Sequence, residues 1–231
     1  MKKIFAIVLG AALMLAGTNA FAQLSAGAGW LNSTESEVYN NGDPQKTNLN
    51  GFYAGAQYNI PIVAGLGITP GLYVSMLFGK QAGSQGIVVG TLSGEAKYSE
   101  LALNVPVNVN YAFEIGSDFK VFVYAGPVFQ YGLMSKTVGN ININIPGIGG
   151  GGTGDITGNN YTGVISDANG NTTNGDPVRN PFNIYVGGGA GIQAGNLQVI
   201  IGYDHSVTNI SKLDKTTLGR SQIKLGVGYA F

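Results

Sequence analysis

Apolar residues alternate with polar or very small residues in eight separate segments of the chain. The alternation is clearest at the C-terminus, where Ile223, Leu225, Val227, Tyr229 and Phe231 share one parity and glycine or polar residues take the other. A period of two is typical of a β-strand with one apolar face. The eight segments are 24–30, 52–58, 66–78, 100–111, 119–131, 182–193, 197–206 and 221–231.

The connections between these segments alternate in length. The short ones are 59–65, 112–118 and 194–196, and the long ones are 32–48, 80–95, 134–181 and 208–220. Outer-membrane barrels have short periplasmic turns and long extracellular loops, and an even strand number places both termini on one side. The pattern predicts an all-β fold, an eight-stranded antiparallel up-and-down transmembrane β-barrel, with 134–181 as a long extracellular loop.

Aromatic residues near the ends of the segments support a membrane location. Amphipathic rings favour the membrane–water boundary, so a barrel should carry two aromatic girdles. The short-connection end has Tyr58, Tyr111, Phe119, Tyr229 and Phe231, and the long-connection end has Trp30, Phe78, Phe129, Tyr131 and Tyr203. The alternative is the core of a secreted sandwich, which the glycine- and amide-rich opposite parity disfavours.

The N-terminus has the features of a secretory signal peptide. Lys2 and Lys3 precede an apolar stretch over 4–16, and small residues follow at Ala20 and Ala22. This order predicts cleavage between Ala22 and Gln23, so that 1–22 is the signal and 23–231 is the mature barrel. An uncleaved anchor is the alternative, but the apolar stretch is short for a membrane span.

Composition excludes several other classes. Cysteine is absent, glycine contributes 38 of 231 residues, and only 10% of residues are charged, against about 25% in typical globular proteins. Loss of the signal leaves 10 basic and 12 acidic side chains, a net charge of −2. Because this balance has no basic stripe, we expect no nucleic-acid partner.

Several stretches resemble a known family. They are the segment 100–113 with Pro106 between two valines, the Ala-Gly-Pro of 125–127, the glycine-rich 187–191, and the alternating strand that ends at Phe231. Together they resemble the "porin family", or outer-membrane β-barrel domain, of Bacteroidetes-type bacteria. The resemblance implies an outer-membrane location in a Gram-negative envelope, with the C-terminal strand as the signal that the barrel-assembly machinery reads. The 134–181 insertion is longer than in compact members.

We expect no catalytic, cofactor or metal site. Asp204, His205 and Ser206 are consecutive, but neighbours in a strand point to opposite faces and cannot form a relay. Lipid A deacylases, which are eight-stranded barrels, have Ser two residues after His, whereas Val207 stands there in this chain. Oxygen-bearing side chains between Asp167 and Asp176 superficially resemble a calcium loop, but their spacing fails the EF-hand pattern.

Charged residues at positions that should face the lumen provide a test of the predicted strand register. Asp204 and Lys224 are expected at similar depth on adjacent strands, where they should pair, with Glu100 as a possible third member nearer the outer rim. An eight-stranded barrel is wide enough only for its own side chains or one small ligand. Since inward tyrosines can fill the gaps that glycines leave, we expect a plugged lumen.

These features predict an integral outer-membrane protein in contact with membrane lipid, with a structural or surface-interaction role and a possible surface ligand bound by its loops. A narrow passive channel for small solutes is the first alternative. A lipid A-modifying enzyme is the second.

Overall fold

The computed structural model describes residues 24–40, 42–87, 90–116, 118–144, 153–167 and 169–231. The signal segment, with the expected cleavage between Ala22 and Gln23, lies outside the described residues. Within them, no helix is long and apolar enough to cross a membrane.

Within these described ranges, twelve strands form one antiparallel sheet. They are β1 (Leu24–Tyr39), β2 (Gln45–Tyr58), β3 (Ile60–Val63), β4 (Leu66–Ile87), β5 (Gly90–Glu114), β6 (Phe119–Asn144), β7 (Thr153–Asn159), β8 (Val164–Ser166), β9 (Thr172–Asn174), β10 (Phe182–Ala194), β11 (Leu197–Ser206) and β12 (Thr216–Ala230).

Eight of these strands close into a ring. The order is β1, β2, β4, β5, β6, β10, β11 and β12, and β12 pairs again with β1, from Ser25 opposite Ala230 to Tyr39 opposite Thr216. The strand β10 joins β6 directly, with Phe182 opposite Tyr131. The predicted eight-stranded antiparallel barrel is therefore confirmed.

The ring strands direct apolar side chains outward. Phe52, Val109, Val123 and Val227 are among the large apolar residues that remain exposed on the ring strands. A soluble fold would bury such residues, whereas a membrane barrel presents them to lipid. We call this outward surface the apolar band. The end of the barrel with the long connections is the outer end, and the end with the short connections is the inner end.

The segments predicted as long loops contain much more strand than expected. β1 and β2 extend into 32–48, β4 and β5 leave only two residues between them, and β12 begins inside 208–220. Segment 134–181, predicted as a long extracellular loop, holds the end of β6 together with β7, β8 and β9. These extensions lie beyond the apolar band. Their polar outward side chains hide the alternation, although backbone pairing continues, with Asn32 opposite Asn50.

Candidate functional site

Four charged side chains meet inside the outer half of the barrel. We call Glu35, Glu100, Arg179 and Arg220 the ion cluster. Arg220 donates two hydrogen bonds to Glu100, from Nη1 at 2.6 Å and from Nη2 at 2.8 Å. Its Nε also donates to Glu35 Oε1 at 3.1 Å. Two arginines balance two glutamates, so the cluster has no net charge.

Arg179 closes the cluster from outside the ring strands. It donates to both carboxylate oxygens of Glu35, at 2.7 and 2.8 Å, and its guanidinium lies 4.6 Å from the centre of the Tyr98 ring. Its backbone forms an isolated bridge with Ser211. The hydroxyl of Tyr98 donates to Glu100. The segment before β10 therefore inserts a positive charge into the mouth of the barrel.

Strand geometry brings this cluster together. Glu35 has the inward parity of Leu31 and Ser33 on β1, and Arg220 has the inward parity of Gln222 on β12. Glu35 and Arg220 are direct cross-strand partners. Both are nearly inaccessible to solvent, and Arg220 is only 1% exposed. A buried charge is tolerated only when it is paired and hydrogen-bonded, as it is here.

Apolar and amide side chains surround the ion cluster. Leu31, Leu49 and Leu77 pack together on one side, and a second group contains Val128, Tyr185, Ile210 and Leu218. The amides of Gln130 and Asn104 carry a hydrogen-bond chain from Tyr185 on β10 to Ser75 on β4. These contacts support the expectation of a plugged lumen.

The structure brings Asp204 and Lys224 together. Lys224 Nζ lies 2.6 Å from Asp204 Oδ2. Gly202 is the direct partner of Lys224 and Gln222 is that of Asp204, so the two charges are diagonal neighbours. Glu100 is not part of this pair, because it binds Arg220 in the ion cluster. Its suggested membership of the pair was wrong, because both of its carboxylate oxygens accept hydrogen bonds from Arg220 nearer the outer end.

The remaining members of the ion cluster were missed by sequence reasoning. Glu35, Arg179 and Arg220 all lie in segments that were predicted as loops. For Glu35 and Arg220 a signal existed, since each continues the inward parity of its strand. No such signal existed for Arg179, because it lies between β9 and β10 and only tertiary contacts bring its side chain into the cluster.

Tyrosine rings lie against glycines of the barrel wall. A Cβ added to Gly29 would be 2.6 Å from Tyr53 Cε1, and one added to Gly55 would be 2.7 Å from Tyr73 Cδ1. Tyr124 covers Gly189 in the same way. A side chain at these glycines would displace the rings. This agrees with the expectation that inward tyrosines fill the gaps left by glycine.

His205 lies on the outward face, and its sequence neighbours lie inside. Asp204 and Ser206 are buried, whereas His205 is exposed. Its Nδ1 lies 2.9 Å from Ser221 Oγ, which also accepts a hydrogen bond from the Tyr203 hydroxyl at 3.0 Å. The three consecutive residues therefore do not form a relay, and His205 belongs to a polar group at the outer edge of the apolar band.

The oxygen-rich stretch that follows β8 forms a turn. Asp167 accepts hydrogen bonds from the backbone amides of Asn169 and Asn171, at 2.9 and 2.8 Å, and from the Asn171 side chain at 2.9 Å. The side-chain and backbone hydrogen bonds from Asn171 lower the pKa of the Asp167 carboxyl. The carboxylate is thus used in closing the β8–β9 hairpin.

The C-terminal residues occupy the outward face of β12. Ile223, Leu225, Val227, Tyr229 and Phe231 are 46% to 65% exposed. The rings of Tyr229 and Phe231 meet edge to face, with centroids 5.2 Å apart. The backbone amide of Phe231 donates to Leu24 O at 2.9 Å. The last residue therefore completes the seam between β12 and β1.

A comparison with known families agrees with this architecture. Residues 16–212 match the family described as "Outer membrane protein beta-barrel domain". The chain belongs to this family. This outer-membrane barrel protein accordingly resides in the cell outer membrane. No curated protein matches the sequence.

Several solved structures of outer-membrane proteins are similar to this barrel at low identity. Ail of Yersinia pestis is 15% identical, with 90% of this chain and 99% of that chain covered and a TM-score of 0.36. Neisserial surface protein A is 11% identical, with coverages of 90% and 97% and a TM-score of 0.39. The N-terminal barrel domain of Pseudomonas aeruginosa OprF is 16% identical, with coverages of 88% and 97% and a TM-score of 0.29.

Proposed function

We propose that this outer-membrane barrel acts at the cell surface, with its transmembrane ring as an anchor and its outer extensions as the binding surface. The observation that carries the proposal is the length of the strands beyond the apolar band. β4 continues nine residues past Phe78, to Ile87, which is about 30 Å of strand. β6 continues from Tyr131 to Asn144, about 40 Å.

The outer extensions form a continuous sheet. β6 pairs with β7, β7 with β8, and β8 with β9. β9 (Thr172–Asn174) is fully exposed and ends the sheet order. An edge strand presents a row of backbone donors and acceptors that an extended peptide of a partner can pair with. The projecting sheet therefore supports a protein or peptide ligand at the surface.

The closed lumen favours surface binding over conduction. The ion cluster and the two apolar groups occupy the outer half of an eight-stranded ring, which is narrow in any case. Moving Arg220 aside would leave the buried Glu100 carboxylate without its two-point partner and Glu35 with Arg179 alone, which is costly. This supports the surface role over the alternative of a passive channel.

An enzymatic role receives less support. Asp204 pairs with Lys224 inside the barrel, and His205 is exposed outside it. We therefore expect His205→Ala to leave the lipid A of producing cells unchanged by mass spectrometry. A shift in lipid A mass between the wild type and this variant would revive the enzyme hypothesis.

Two measurements test the proposed function. In planar bilayers the refolded protein should show no steady conductance. Vesicles that contain the protein should adhere to at least one immobilised host or envelope component, and a variant without residues 138–178 should lose this adhesion. Equal adhesion by the variant would contradict a role for the projecting sheet, and stable single-channel steps in the wild type would favour the channel.

A further inference from the structure

A cavity occupies the inner half of the lumen. Its volume is about 260 Å³, and its lining runs from Gln222 and Asp204 to Leu24 and Ala230 at the ends of the ring strands. Binding sites for drug-sized ligands have roughly 300–1,000 Å³. The cavity is therefore matched to a smaller molecule, or to about nine waters at 30 Å³ each.

Access to the cavity is from the inner end. The ion cluster blocks the lumen on the outer side, since Glu35, Glu100 and Arg220 are buried between the wall strands. The lining includes residues next to the short connections, such as Asn59 and Gln193. A ligand would thus enter from the periplasm.

Each charged group that lines the cavity already has a partner of opposite charge. Within the described part of the chain, its charged lining residues are Lys120, Asp204 and Lys224. Lys224 pairs with Asp204 at 2.6 Å, and Lys120 Nζ lies 2.9 Å from Glu114 Oε1. An ionic ligand would have to disrupt one of these pairs, so a neutral ligand is favoured.

Aromatic rings line the cavity among amide and hydroxyl groups. Tyr53 and Tyr73 meet edge to face, with centroids 5.9 Å apart, and Tyr124 lies on the wall beside Gly202. The Tyr73 hydroxyl donates to Gln57 Oε1 at 2.9 Å. Rings offer apolar faces to C–H groups, and the amides orient hydroxyl groups by hydrogen bonds. Hydroxyl-rich rings such as sugars combine these two surfaces.

One lining side chain has an unused hydrogen-bond donor. Gln222 is only 5% exposed, and its Nε2 has no hydrogen-bond partner. In the register it stands beside Ser33 on β1 and Asp204 on β11. A buried donor without a partner is costly, and such groups are rare in native structures. The Nε2 atom is itself shielded from the cavity, and a rotation of the Gln222 amide would bring it to an occupant that supplies the missing acceptor.

We propose that this cavity binds one neutral, hydroxyl-rich molecule of the size of a monosaccharide, taken up from the periplasm. Tyr53, Tyr73 and Tyr124 contact its apolar faces, and Gln222 donates a hydrogen bond to one of its oxygens. This site is separate from the outer sheet, so it does not depend on the proposed surface role.

The test uses the full barrel in a zwitterionic detergent without a sugar headgroup. Methyl β-D-glucopyranoside is titrated, with sucrose as a larger analogue for comparison of size, and binding is followed by ligand-observed saturation-transfer NMR. Binding should be saturable, and it should exceed that of glucuronic acid and glucosamine, which carry a charge. Gln222→Leu should weaken binding roughly three- to ten-fold, as expected for one lost hydrogen bond.

A blocking variant locates the site. Ala112 lines the cavity near its inner end, and Phe113, the next residue, points outward. Ala112→Trp should abolish binding, while Phe113→Trp should leave it unchanged. Heat-modifiable migration on a gel verifies that each variant is folded. If Ala112→Trp does not fold, the effect of Gln222→Leu on sugar binding still tests whether the sugar binds in this cavity.

Three results would overturn the proposal. The first is the absence of saturable binding, which would mean that the cavity holds water only. The second is binding that neither Gln222→Leu nor Ala112→Trp weakens, which would place the sugar elsewhere. The third is tighter binding of a charged analogue, which would contradict the neutral class.

Discussion

At the residue scale, the charged side chains that point into the lumen form neutral groups. The ion cluster and the Asp204–Lys224 pair lie on different levels of the lumen, and each balances its own charge. Because the surrounding wall is largely shielded from water, losing one partner costs more than losing an exposed ion pair.

Removal of Arg220 tests the ion cluster. Arg220→Met leaves the Glu100 carboxylate without its two-point partner, and we expect the free energy of unfolding to fall by about 3–5 kcal/mol. Urea unfolding in lipid, followed by the fluorescence of Trp30, measures this change. Lys97→Met is the matched control, because Lys97 forms an exposed pair with Glu95 and should cost less than about 1 kcal/mol. Equal losses in the two variants would mean that the cluster contributes no more than a surface pair.

A double-mutant cycle tests the Asp204–Lys224 pair. Lys224→Met should destabilise the wild-type background more than the Asp204→Asn background. In the wild-type background the substitution leaves the Asp204 carboxylate unpaired, whereas the Asp204→Asn background has no carboxylate at this position. The coupling should be about 0.5–3 kcal/mol, as for other residues in contact. Additive effects would show that the two charges are separately hydrated.

At the element scale, the ring strands and their outer extensions have separate roles. The pairing of β6 with β10 runs from Phe119 to Tyr131, entirely within the ring. Segment 138–178 pairs with the ring strands only through the outer extension of β5, from Val138 opposite Lys97 to Asn144 opposite Thr91. It also contacts β6, where Asn160 bonds to Ser135 and Tyr161 lies over Gly132. Loss of the outer sheet should therefore leave the ring closed.

Deletion of 138–178, with a short Gly-Ser linker in its place, tests this separation. We expect the faster-migrating folded band on a detergent gel to persist, with a somewhat lower unfolding temperature, because loop length affects closure entropy only slowly. Deletion of 182–194, which removes β10 from the ring, is the contrasting control and should abolish the folded band. Loss of the band in the first variant would make the outer sheet part of the barrel core.

At the scale of the whole molecule, closure of the ring depends on one seam. β12 must pair with both β11 and β1, and Phe231 N bonds to Leu24 O at the inner end of the seam. The same strand carries the outward alternation that the family resemblance assigns to the assembly machinery. The last strand thus serves closure and, as we propose, recognition.

Deletion of Phe231 tests that role. Insertion into the outer membrane should slow, and protease-sensitive protein should accumulate in the periplasm, as measured by pulse–chase fractionation. Phe231→Tyr keeps the ring that packs on Tyr229 and should assemble nearly as the wild type does. Normal outer-membrane levels of the deletion variant would contradict a recognition role for the terminal residue.

The alternation of apolar and polar residues was by itself enough to predict the eight strands of the ring. A period of two follows from the local geometry of a strand, whose successive side chains point to opposite faces, and from the contrast between lipid on one face and lumen on the other. Each segment shows this contrast in its own residues. The eight strands, their outward faces and the short inner connections could therefore be predicted. The inward parity of Asp204 and Lys224 followed from the same count.

Tertiary structure decided what lies beyond the apolar band and what closes the lumen. Past the membrane the outward face of a strand is polar, so the apolar outward positions that reveal alternation disappear, and β7 to β9 could not be predicted. The ion cluster joins residues 35, 100, 179 and 220, which meet only because the ring brings β1 beside β12 and folds Arg179 inward. Such contacts depend on closure of the whole sheet, and no local pattern in the chain encodes them.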